Sequence, residues 1–305
     1  MTSERTLSLK VDVCTHDGMR DGVPRLLEQF RRHGVRASFF LSFGPDNSGK
    51  ALRNIWRPSF LRKMLKSSAP SMYGWRTMVS GTLLPARAIA TNHPELVRRI
   101  EDEGHEVALH AWDHRRWQDH LFEMDDAEIA SHYRRACDAY ESILGHAPRG
   151  SGAAAWVVTE RSLAAQDSLG LDFASDLRGG EPCRLQHGRA SFATVQIPTV
   201  GRCIEELLTL GVQSDEALAN TLLAEQVSAK TAVYAVHAEV EGGPYAAVLE
   251  RLLPQFKQHF GAPRLLGELA RERSRDNWPV RRLVYTRLPG RSGQVATSSE
   301  LAQTL

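Results

Sequence analysis

An α/β fold with a parallel sheet that closes as a barrel is predicted by three features of this 305-residue sequence. Short apolar runs bounded by turn residues alternate with segments of helical periodicity, the order that produces parallel strands joined by helices. There are enough such units to close a barrel. The side chains able to do chemistry gather just past the apolar runs, at the rim where a parallel barrel assembles its site.

The first strand is predicted from Leu7 to Val13, followed by GVPRLLEQFRRHG, which puts Leu26, Leu27 and Phe30 on one helical face. A second strand is expected from Ala37 to Ser42. HPELVRRIEDEGH then groups Leu96, Val97 and Ile100 ahead of a third strand, Glu106 to His110. In DDAEIASHYRRACDAYESIL, Asp125 reads as an N-cap, with Glu128 three residues on as a capping-box variant. Ile129, Tyr133, Ala136, Tyr140 and Leu144 follow at helical spacing. Strands from Phe173 to Asp176, Val195 to Pro198 and Thr231 to Glu239 complete the series. No internal repeat is evident.

With 42% hydrophobic and 24% charged residues the chain has material for a large core. Its start, MTSERTLSLKVDV, lacks an apolar signal segment, and no run approaches the roughly 18 to 20 residues of a membrane span, so a cytoplasmic location is expected. Cys14, Cys137, Cys183 and Cys203 form no CxxC pair and are expected to be free thiols.

Listing the polar residues at the strand ends gives Asp12, Cys14, His16 and Asp17 after the first strand. His110 and His114 follow the third, Arg149 a later segment, Asp176 and Arg178 another, and His237, Glu239 and Glu241 the last. Acids, imidazoles and guanidinium groups converging from separate strands suit metal-assisted hydrolysis. His110 and His114 are the candidate metal ligands, since a spacing of four puts two rings on one side of a helical turn. Asp12 suits a base. Each has a plain alternative: strand-end histidines for His110 and His114, a solvated strand terminus for Asp12, a satisfied core histidine for His237 and a rim ion pair for Arg149.

In this order KVDVCTHDG, HAWDH, APRGSGAAAW, SDLRGG and AVHAEVEG resemble the motifs of the polysaccharide deacetylase (NodB homology) superfamily. GVPRLLEQF, ASFFLSFGPDN, GHEVALHAWDH and VHAEVEG more narrowly resemble the bacterial deformylases of undecaprenyl-phosphate-linked 4-deoxy-4-formamido-L-arabinose. The likeness runs from about residue 7 to about 270. It implies a deformed (β/α) barrel, a divalent metal (Zn, Co, Mn or Ni) and hydrolysis of an N-formyl amide in the lipid A modification that confers polymyxin resistance. It also implies that His237 protonates the amine nitrogen and that Arg149 orients the base; Asp176 is a candidate to hold His237 in its productive tautomer. A deacetylase of another amino sugar and a catalytically silent lipid-binding homologue are the competing readings.

The chain departs from the superfamily at Cys14, where an aspartate ligand is expected. Strand alternation puts Asp12 and Cys14 on one face, so Cys14 can reach the same metal. The third ligand is then Cys14, or Asp17 or water; otherwise the site is damaged.

A basic amphipathic insertion is expected over residues 44–92. Between Asp46 and Glu95 there is no acidic residue and there are eight Lys and Arg, interleaved with Trp56, Phe60, Tyr73 and Trp75. Such a segment suits an anionic membrane surface and the phosphate of a lipid-linked sugar. No base-reading motif accompanies it, which argues against nucleic acid. The likeness thus places the protein peripherally on the inner face of the cytoplasmic membrane. Residues 271–305 turn polar and Ser/Thr-rich, and the last 15 or so are expected to be disordered. Oligomeric state is left open.

Overall fold

The computed structural model describes residues 5–50, 77 and 80–300. Among these are eleven strands: β1 (Thr6–Val13), β2 (Ser38–Ser42), β3 (Glu106–Ala111), β4 (Gly150–Ser151), β5 (Phe173–Ala174), β6 (Arg184–His187), β7 (Ala190–Ser191), β8 (Val195–Gln196), β9 (Thr231–His237), β10 (Val280–Thr286) and β11 (Val295–Ser299). Seven of them form a parallel sheet in the order β8-β5-β4-β3-β2-β1-β9.

That sheet is curled. Phe40, Ala108, Phe173, Val195, Ile197 and Val233, drawn from strands across its whole width, share one apolar cluster with Leu266, Leu269 and Trp278. The opposite faces of the same strands, with Leu9, Val11, Phe39, Leu41, Val107, Leu109, Tyr234 and Val236, pack against the outer helices. Alternation therefore sorts β1 into an outward apolar set and an inward polar set, Ser8, Lys10 and Asp12, all buried. The expected barrel is deformed at one seam. β8 and β9 are not paired as strands; past the end of β8, the Val200 amide donates to the Val233 carbonyl of β9 at 2.9 Å.

The helices Val23–His33, Pro94–Asp102 and Asp126–Leu144 lie where periodicity put them. Asp125 accepts from the Glu128 amide at 2.8 Å, but the reciprocal arm of the capping box is missing, because the Glu128 carboxylate pairs with Arg116 at 2.8 Å instead. Gly145, at φ 79°, ends that helix in the left-handed conformation.

The segment beyond 270 is not featureless: β10 and β11 join β6 and β7 in a second sheet ordered β11-β10-β6-β7. This extends order to Ser299, inside the stretch expected to be disordered. Its alternation is hidden because this small sheet is only partly buried. The core of the basic insertion, 51–76 and 78–79, lies outside the described residues. At its edge Leu83 is 81% exposed. Among the described residues no helix is long and apolar enough to cross a membrane.

Candidate active site

The site begins with two inward residues of β1. Asp12 is 2% exposed, and the Lys10 ammonium, fully buried, donates to its two carboxylate oxygens at 2.5 and 2.6 Å. Burial alone would raise the Asp12 carboxyl. The Lys10 charge, with His110 and His237 behind it, outweighs burial and holds the group below the usual carboxylate range, so it is ionised. The ammonium also lies over the rings of Phe40 and Trp156, at 4.7 and 5.2 Å. Gly152 makes room for this packing: a Cβ there would stand 2.6 Å from Phe40 and 3.3 Å from Lys10.

Next to Asp12 is a set of metal donors. One ligand atom each from Cys14, His110 and His114 lies within 4.8 Å of the others. The two histidines do not share a helical turn, as their spacing suggested. His110 is in β3, and His114 opens the helix His114–His120, whose N-cap Asp113 accepts from the Arg116 amide at 2.9 Å. A strand-to-helix corner, rather than helical periodicity, brings the rings to 5.1 Å between centroids. The His110 Nδ1–H donates to the Gly152 carbonyl at 2.9 Å, leaving Nε2 facing the Cys14 sulfur at 3.5 Å.

Burial pushes His110 down to about 4 and His114 well below its ordinary range, so both rings are neutral and can bind metal. Burial, with the charges of Glu239 and Asp12, pushes the Cys14 thiol well up, so a metal must displace its proton. Burial likewise raises Glu239 to about 7, and its Oε2 has no hydrogen-bond partner among the described residues. Soft and borderline donors, preset neutral rings and an orphaned carboxylate oxygen fit a divalent transition metal.

His237, at the end of β9, is in register with Asp12 on the neighbouring strand. Its Nδ1 lies 3.2 Å from Glu205. Burial alone would lower its pKa, but the Glu205 carboxylate, aided by Asp12 and Glu241, raises it to about 10, so the ring is an imidazolium at neutral pH. Against it, edge on at 6.1 Å, stands the Trp156 ring. Ala155 and Trp156 take φ of 56° and 55°, left-handed values that L side chains rarely adopt. This turn holds the indole under the guanidinium groups of Arg178 and Arg291, at 4.5 and 4.7 Å.

The other expected site residues go elsewhere. Arg149 precedes β4, at the strand's N-terminal end and therefore away from the rim. Its side chain is 71% exposed and 4.0 Å from Asp172, and Lys10 is the cation that stands beside Asp12. Asp176 is buried but does not touch His237. It accepts from the Ala153 amide at 2.6 Å and from Gln166 and Gln196, both at 2.9 Å, and Glu205 takes the role expected of it. Asp17 turns to Arg87 at 3.0 Å and Arg20 at 3.2 Å. Lys10 had a sequence signal, a cation two residues before Asp12 in an apolar strand. Trp156 had one too, as the last residue of the APRGSGAAAW motif, whereas Glu205 and Arg291 had none, because only the fold brings them near.

Arg178 and Glu206 form a buried bidentate pair, both bonds 2.9 Å, beneath this floor. Burial alone would raise Glu206; the hydrogen bonds and charge of Arg178 hold it at about 2. The stabilisation from this depressed carboxyl is present above its ordinary value and lost as pH falls toward 2. Glu206→Ala, which leaves Arg178 buried and unpaired, is expected to cost about 3–5 kcal/mol in urea unfolding at pH 7. A loss under about 1 kcal/mol would show that the pair contributes little.

The model of the polysaccharide deacetylase family matches residues 2–174. The chain belongs to that family. The "Probable 4-deoxy-4-formamido-L-arabinose-phosphoundecaprenol deformylase ArnD" of Shewanella sediminis (strain HAW-EB3) is 33% identical to it over 97% of this chain and 95% of its own length. The protein of the same name from Wigglesworthia glossinidia brevipalpis is 24% identical, over 93% and 99%. Among solved structures, a "probable Polysaccharide deacetylase from Pseudomonas aeruginosa PAO1" superposes with a TM-score of 0.61 at 17% identity, covering 87% of this chain and 89% of that one, a likeness of fold. Deformylases and deacetylases are both hydrolases of amide bonds, so this family member is an amide-bond hydrolase.

Proposed function

We propose that this polysaccharide deacetylase family member is a metal-dependent deformylase. It hydrolyses the N-formyl amide of undecaprenyl-phosphate-linked 4-deoxy-4-formamido-L-arabinose and releases formate, at the inner face of the cytoplasmic membrane, for the lipid A modification that confers polymyxin resistance. The observation that carries the reading is an ionised Asp12 and a protonated His237 at one register position of adjacent strands, beside the Cys14, His110 and His114 donors. The identity to relatives named for this reaction supports the choice of substrate.

An amide needs an activated water, a Lewis acid on its oxygen and a proton for the departing nitrogen. When bound to Cys14, His110 and His114, a divalent metal (Zn, Co, Mn or Ni) supplies the Lewis acid. Asp12 takes the proton of the attacking water, with Lys10 fixing the direction of its carboxylate. His237 gives its proton to the amine as the C–N bond breaks. Lys10 chiefly holds Asp12 ionised and Glu205 chiefly holds His237 protonated, and the charges of Asp12 and His237 add to each other's state. Once Asp12 is protonated its share of the hold on the His237 proton ends, and that of Glu205 remains.

The test is release of formate, against acetate from the acetamido analogue, by chain loaded in turn with each of the four metals. Formate release supports the proposal. Acetate alone would make the chain a deacetylase, and stoichiometric metal with neither product would make it a silent homologue; either overturns the proposal.

The third ligand is tested at Cys14. Cys14→Ser is expected to weaken metal binding about tenfold or more, and Cys14→Asp to restore it with a shift away from zinc. Equal affinity in all three proteins would exclude Cys14 as a ligand. Membrane contact is tested with the insertion's cations. Liposomes containing anionic lipid are expected to sediment the wild type, and Arg53, Arg57, Arg62 and Lys63 all changed to Glu should abolish this. Unchanged sedimentation would remove the membrane role.

A further inference from the structure

Beyond the expected ligands, a second group of metal donors lies on the other side of His237. One ligand atom each from Cys203, Glu205 and His237 lies within 4.8 Å of the others. Cys203 is 2% exposed and caps the helix Ile204–Thr209, on whose first turn Glu205 sits, while His237 comes from the end of β9. A thiol, a carboxylate and an imidazole from two elements, one of them reachable from the rim, make a donor set suited to zinc or cobalt.

Two cations stand nearby and would oppose a metal alone. Arg178 and Arg291, however, both face Glu206, at 2.9 and 3.4 Å, so their charge is partly neutralised before any ion arrives. The exchange is also balanced in charge. A divalent ion entering as Zn²⁺ displaces the Cys203 thiol proton and the His237 Nδ1 proton, and the two protons leave to solvent. The net local charge does not change, and the buried surroundings are not asked to accommodate a new one.

We propose that Cys203, Glu205 and His237 form a second, inhibitory transition-metal site. His237 meets Glu205 through Nδ1. An ion on that nitrogen leaves the ring neutral, with one proton on Nε2 and no imidazolium to deliver to the amine. Zinc at low concentration would then fill the Cys14, His110 and His114 site, and zinc in excess would stop turnover by taking the acid. The inhibitory half rests on the role given to His237 above; the metal site does not.

Cys203→Ser separates the two sites. Serine keeps the N-cap, being among the preferred capping residues, and removes the thiolate. Equilibrium dialysis of the full chain against rising zinc should give two equivalents for the wild type and one for Cys203→Ser. Cobalt supplies the independent readout. In a Cys14→Ser background a near-ultraviolet thiolate-to-cobalt charge-transfer band should persist, and Cys14→Ser/Cys203→Ser should lose it. Formate release should fall at excess zinc in the wild type, and Cys203→Ser should need about tenfold more zinc for the same fall.

A wild-type zinc count that Cys203→Ser leaves unchanged, or identical cobalt spectra for Cys14→Ser and the double variant, would overturn the site. A second equivalent that leaves formate release unchanged would overturn the inhibition. If no formate is released under any condition, the deformylase reading fails on its own, and the metal count and the cobalt band still decide the site.

Discussion

His237→Ala is expected to lower formate release by about 10²- to 10⁴-fold, the range for loss of a general acid, while the metal at Cys14, His110 and His114 is retained. The physical basis is an imidazole held protonated up to about 10 by Glu205, next to an ionised carboxylate. The pH dependence follows from its sign. A raised pKa means that the working, protonated form persists through neutral pH and is lost as pH rises through that value. Glu205→Gln removes the main opposing charge, so the alkaline fall of kcat/KM should move toward neutral pH with the protein still folded. An alanine variant that loses the metal of that site would make His237 one of its ligands. A Glu205→Gln variant with an unmoved alkaline limb would detach Glu205 from the acid.

Lys10→Met should have an effect of similar size. The Asp12 carboxylate is 2% exposed, and Lys10 is its ion-pair partner. Removing the ammonium leaves a buried charge uncompensated, at about 3–5 kcal/mol of stability. It also lets burial raise the Asp12 pKa, so a smaller fraction remains ionised at neutral pH. The turnover of folded protein should drop about 10²-fold or more, and the acid limb of the pH profile should move upward. Lys10→Met/Asp12→Asn separates folding from catalysis: it should recover most of the lost stability, because neither partner is then left charged, and recover no activity. A Lys10→Met protein with the wild-type rate and pH profile would show that Lys10 does not position the base.

Much of the site was readable because strands impose strict rules. Asp12 and Cys14 share a parity, and the ends of apolar runs in a parallel sheet form the rim, so Asp12, Cys14, His110 and His237 could be assembled without coordinates. Lys10 obeys the same parity but lies two residues before Asp12, inside the strand rather than at its end, where the rim residues gather. Arg149 misled for a related reason. It matched a motif, but β4 is only two residues long, and Arg149 falls on its N-terminal side.

The alternating α/β order, the inward face of β1 and the pairing of acids with imidazoles at strand ends are thus legible in the chain alone. These follow from periodicity and chain direction, which are local. Three features emerge only on folding: the sheet curls without closing its ladder, the connection between β10 and β11 carries Arg291 over Trp156, and Glu205 rather than Asp176 holds His237. The physical reason is that hydrogen-bond partners and pKa values depend on which charges are buried together. Glu205 and His237 lie 32 residues apart in the chain and meet only because the fold brings the first turn of the helix Ile204–Thr209 to the end of β9.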